Sequence, residues 1–158
     1  MLRFPSVQWF EELRAAAGSD LERLKRLGTV DLTLVVKIDF ATHSKFYQIK
    51  FTGYRCIEVR ELGDLAASAP DAVIIEGPYQ TWRDMIESIQ ANGHADLQHT
   101  LNTLTLYDTP LRVTAHNQLD TDLFYRYQQN LQEFFDSAAK LTTYFAESES
   151  AQAPIALV

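Results

Sequence analysis

The sequence predicts an α+β fold: a mostly antiparallel five-stranded sheet with helices on one face, plus a long C-terminal helix. Three observations predict it. Residues 30–62 alternate apolar and polar side chains with a period of two, the signature of strands. The segments 5–26 and 78–92 repeat apolar residues at three- and four-residue steps, the signature of helices. A single apolar stripe then runs through Phe124, Tyr127, Leu131, Phe134, Ala138, Leu141 and Phe145 at alternating spacings of 3 and 4.

Taken in order, residues 5–26 read as a helix, a break at Gly18-Ser19-Asp20, and a short second helix. Ser19 or Asp20 caps the second helix and Gly28 stops it. "TVDLTLVVKIDF" places Val30, Leu32, Leu34 and Val36 on one strand face. "FYQIKFTGY" places Tyr47, Ile49 and Phe51 opposite Gln48, Lys50 and Thr52, and "RCIEVREL" adds a third strand. Thr42-His43-Ser44 and Thr52-Gly53 turn the chain between them, so the three form a meander. After a loop ending at Pro70, "DAVIIEG" is a fourth strand. Gly77 is placed at a helix N-cap, Pro78 in the first turn, and Asn92-Gly93 at the C-cap. Residues 104–107 and 111–115 read as strands about a turn at Asp108-Thr109-Pro110. Asp120 and Thr121 cap the long final helix, which extends to residue 146.

The length of 158 residues fits one domain, placed at 1–146, with 147–158 expected to be a mobile tail. No run of 18 apolar residues predicts integral membrane insertion. The first residues lack the uninterrupted apolar core of a signal peptide, and "APIALV" is not a peroxisomal address. Cys56, the only cysteine, excludes an intrachain disulfide and a multi-cysteine metal site, and reads as a small buried residue. A cytoplasmic location is expected. The net charge of −7 divides into +3 over residues 1–60 and −10 over residues 61–158. Such an acidic surface repels phosphate backbones, which argues against nucleic-acid binding and anionic membranes.

Catalytic and metal chemistry find little footing. No His-x-x-x-His, Cys-x-x-Cys, Gly-x-Ser-x-Gly or phosphate-binding glycine loop occurs, so no metal, cofactor or catalytic residue is expected. An enzyme on a cone-shaped α+β barrel would need a buried Asp or His with a shifted pKa. Asp71, Asp108, His99 and His116 are the candidates. Apolar binding is better founded. Three helical faces (Trp9/Phe10/Leu13, Trp82/Met85/Ile86/Ile89 and the C-terminal stripe) confront a single sheet. The residues alone leave open whether the layers pack solidly or enclose a cleft.

The order of elements resembles the sterol carrier protein family. "LGTVDLTLVVKID" is similar to its first strand after an opening helix, "FYQIKFTGYRCIEV" to its next two strands, and "APDAVIIEGPYQTWRDMIESI" to its strand leading into an aromatic-bearing helix. "LNTLTLYDTPLRV" would supply the following strand, so the resemblance spans residues 5–116. Tyr107-Asp108-Thr109 stands where the family has Gly-Asp, and the helix at 120–146 is unusually long.

The resemblance implies non-catalytic binding or transfer of a lipid, sterol or fatty acyl chain in an apolar space between sheet and helices. The residues expected to line it are Trp9, Phe10, Leu34, Ile49, Ile75, Trp82, Met85, Ile86, Ile89, Leu104, Phe124, Tyr127, Leu131 and Phe134. The implied partners are a hydrophobic small molecule and a lipid-metabolising enzyme. The alternative is an interaction protein whose C-terminal stripe packs on a partner or on a second copy as a homodimer.

Overall fold

Local capping starts most of the helices. The computed structural model describes residues 1–146, and the expectation of a mobile tail at 147–158 lies outside the described residues. A short strand β1 (Leu2–Phe4) leads to Ser6, whose hydroxyl accepts from the Trp9 N–H and opens helix α1 (Val7–Gly18). That helix buries Trp9, Phe10 and Leu13. Asp20 accepts from Arg23 N to cap α2 (Leu21–Leu27), and Gly28 ends it at φ 88°, a conformation that glycine adopts freely.

Strands β2 (Leu32–Asp39), β3 (Ser44–Thr52) and β4 (Arg55–Leu62) form the expected antiparallel meander. The chain then passes a 3₁₀ turn at Leu65–Ala67 and enters β5 (Val73–Pro78). β5 lies beside β2 in parallel, and β6 (Arg112–Thr114) pairs antiparallel with β5. The sheet order is β4-β3-β2-β5-β6, so the sheet is mixed, with one parallel pairing among antiparallel ones. Both faces of β2 are covered, as its central position requires. Leu32, Leu34, Val36 and Ile38 face the helices, while Val35 joins Leu62 and Ala72 in a smaller cluster beneath the 63–72 loop.

Helix α3 (Tyr79–Asn92) follows β5 directly and ends at Gly93, which is left-handed at φ 83°. Its N-cap is Pro78, and Gly77 belongs to β5. The expectation of Gly77 as the cap is therefore corrected. A Cβ there would lie 2.8 Å from the Pro110 carbonyl oxygen, so glycine is needed for the close approach of the chain entering β6.

The strand expected at 104–107 is instead helix α4 (Leu101–Thr105), capped by Thr100. Leu101, Leu104 and Thr105 are buried at helical spacing, whereas Leu106 is 60% exposed, so the period-two reading of "LTLY" took in a solvent-facing leucine.

The long final helix is also corrected. It begins at the Asn117 cap, earlier than Asp120, and is divided into α5 (Gln118–Arg126) and α6 (Gln128–Asp136) by a bend at Tyr127 with φ −100° and ψ 12°. A 3₁₀ turn at Ser137–Lys140 follows, then β7 (Thr143–Phe145), which pairs in parallel with β1. A straight helix of that length would span about 40 Å at 1.5 Å per residue, beyond the width of a small domain. Bending keeps the apolar stripe on the core.

Candidate functional site

The side chains expected to face a ligand do converge. Trp9 and Phe10 of α1, Leu34, Ile49 and Ile75 of the sheet, and Trp82, Met85, Ile86 and Ile89 of α3 belong to one contiguous cluster. Leu104 of α4, Phe124 of α5, and Leu131 and Phe134 of α6 complete it, with half-buried Tyr127 packed against it. The stripe of α5 and α6 is thus spent on the protein's own interior. Sheet and helices meet at these side chains, most of which have no accessible surface.

A small gap remains beneath α2. A crevice of about 20 Å³, room for roughly one water, lies between α1, α2, α6 and the β3–β4 end of the sheet. Its walls are chiefly Ala17, Leu24, Leu27, Val30, Phe51 and Phe134. Of these, sequence reasoning named only Phe134 as a site residue. Leu24 and Leu27 are visible in the sequence as an apolar step on a short helix, but nothing local indicates what they cover. A shallower depression of about 350 Å³ shares Arg14, Gly18, Arg55 and Cys56 with the crevice.

α2 forms one wall of the crevice and is lightly held. None of its residues is buried. Its tethers are polar and peripheral: an Arg23–Glu133 ion pair, and Asn130 Nδ2 donating to the carbonyls of Leu27 at 3.3 Å and Gly28 at 3.4 Å. Lys140 Nζ donates to Ser19 Oγ at 3.2 Å, just ahead of the helix.

The two tryptophans differ in one respect. Trp9 Nε1 donates to Thr143 Oγ1 at 2.9 Å. Trp82, 1% exposed, has no acceptor for its indole N–H among the described residues. Tyr47, whose buried hydroxyl likewise has no hydrogen-bond partner among the described residues, sits opposite Glu61 across the β3–β4 ladder. Burial, and then the Glu61 charge, raise its phenol pKa well above the usual value.

The catalytic candidates remain apart. Asp71, Asp108 and His116 lie away from the buried cluster, and Asp71 and Asp108 are exposed. His99 Nδ1 lies 2.8 Å from Asp96 Oδ1, and Ser88 Oγ donates to Asp96 Oδ2 at 3.0 Å. This order puts the carboxylate between serine and imidazole, so the imidazole has no contact through which to activate the hydroxyl. Asp96 also accepts from the backbone N–H groups of Gln98 and His99, which makes the group a structural cap. Cys56 donates to the Glu58 carbonyl, and burial pushes its thiol pKa up to about 11, away from a reactive thiolate. Among the described residues no group of three or more His, Cys, Asp or Glu side chains is placed to hold a metal ion.

No family profile and no curated protein matches the chain. Solved structures do. A crystal structure of sterol carrier protein 2 superposes with a TM-score of 0.65 at 13% identity, over 85% of this chain and 96% of that one. A conserved hypothetical protein from Thermus thermophilus, described as possibly a sterol carrier protein, superposes with a TM-score of 0.53 at 14% identity, over 85% and 79% of the two chains. At these identities the likeness establishes the fold, which is that of sterol carrier proteins.

Proposed function

We propose that the chain binds a hydrophobic small molecule of the lipid class between its sheet and helix layers and leaves it chemically unchanged. The observation that carries this reading is the continuous apolar interior that reaches solvent at a crevice under α2, the least anchored helix. The resemblance of the fold to structures described as sterol carrier proteins supports it. The closed packing at Trp82, Met85 and Ile86 is then the unliganded arrangement. Lifting α2 and turning Phe134 would lengthen the crevice into the core, where apolar area removed from water contributes roughly 25 cal/mol per Å². The Ser88–Asp96–His99 order and the raised Cys56 pKa favour a carrier over an enzyme. A cytoplasmic setting is kept from the sequence.

The test is native mass spectrometry of the full chain purified from cells, followed by lipid titration of the delipidated protein. Lipid-mass adducts and saturable binding are expected. A protein free of adducts that also takes up no lipid would overturn the proposal.

A further inference from the structure

Resting on that reading, we infer that the ligand is uncharged and carries an oxygen that accepts a hydrogen bond from Trp82 Nε1–H. A buried N–H without an acceptor loses its water and gains nothing in return, and native proteins keep few of them. Of the other buried polar side chains of the described core, the Tyr47 hydroxyl is likewise without a hydrogen-bond partner, while the rest are engaged or face elsewhere. Ser88 is bonded to Asp96, the Thr105 hydroxyl donates to the Leu101 carbonyl, and Gln48 accepts from Ala69 N on the opposite sheet face. Thr33 alternates with the core-facing Leu32 and Leu34 and so points to that opposite face. Tyr47 stands beside Glu61.

Trp82 therefore presents the interior with a donor, and the complementary group is an acceptor: a ketone, ester, ether or hydroxyl oxygen. Among the described residues no charged side chain is classed as buried. A carboxylate drawn in beside Trp82 would lose its hydration without meeting a cation, which disfavours an ionised fatty acid. The crevice itself stops short of Trp82, and packed rings separate the two. Phe51 and Phe134 at the crevice pack with centroids 5.1 Å apart, Phe134 and Phe135 follow at 5.7 Å, and Phe135 and Trp82 at 6.0 Å. Displacing this line of rings joins the crevice to the indole.

The experiment titrates the delipidated full chain with methyl dodecyl ketone, pentadecane of similar size, and ionised myristate, each delivered from cyclodextrin. The ketone is expected to bind about threefold to tenfold tighter than pentadecane, the range of a single neutral hydrogen bond. Trp82→Phe is expected to collapse that ratio. In the unmutated protein the Trp82 indole N–H resonance is expected to move downfield with ketone and to lack that shift with pentadecane, a reading that does not depend on the variant folding. Equal affinities for ketone and alkane, an unmoved indole resonance, or tightest binding of myristate would overturn the inference and leave lipid binding standing. Failure of all three probes to bind would overturn both.

Discussion

Gly77 shows how much one missing methyl group determines. A Cβ at this position would meet Leu111 Cδ2 and the Pro110 carbonyl oxygen inside the van der Waals limit, and the second of these is backbone. Gly77→Ala is expected to lower stability by about 1–3 kcal/mol, the usual cost of overpacking, measured by urea denaturation. Cys56 makes a chemical prediction. Its folded pKa is raised from 9.0 to about 11, chiefly by burial. A raised pKa means that the protonated thiol suits the fold. Its contribution is fully present below pH 9 and is lost as pH rises toward 11. Native Cys56 is expected to react with iodoacetamide more slowly than the urea-unfolded chain at mildly alkaline pH, and equal rates would contradict its burial.

At the scale of elements, α2 is the movable part. Cutting its tether to α6 with Glu133→Gln is expected to cost under about 1 kcal/mol of global stability, as exposed ion pairs do. It should nevertheless speed hydrogen exchange at residues 21–27 and accelerate lipid uptake; exchange confined to global unfolding would argue against α2 as a gate. Asp96 ties α3 to the segment before α4. Its carboxyl pKa is lowered, first by the hydrogen bond to His99. The stability this contributes is present above the ordinary carboxylate range and is lost as pH falls through the lowered folded value. Asp96→Asn is expected to be less stable than the parent at neutral pH, with the gap closing in acid. Elements with one dominant period, α1, α3 and β2–β4, were legible in the sequence. α4 was not, because five residues of mixed spacing fit either period until Thr100 and the core select the helix. The bend at Tyr127 was hidden too, since a heptad stripe continues unchanged through it.

For the whole molecule, the division of α5 and α6 carries the aromatic stripe into the core. Phe124, Leu131, Phe134 and Phe135 are buried in the core they share with α1 and α3. A chain ending at Asp120 is therefore expected to lose its cooperative thermal transition altogether, as read by circular dichroism. A folded, monomeric truncation product would restore the idea of a stripe kept free for partners. The closing of the molecule by β7 on β1 could not be foreseen, because three-residue strands carry no periodicity.

By itself the sequence determined the α+β class and the apolar faces of α1, α3 and the meander strands, because periodicity records which side of each element faces away from water. Tertiary structure alone decided that one pairing within the main sheet is parallel, that the stripe bends inward, that a gap of about one water remains under α2, and that one of two tryptophans keeps a free N–H. Those outcomes depend on distances between residues far apart in the chain, and spacing along a sequence carries no record of such distances.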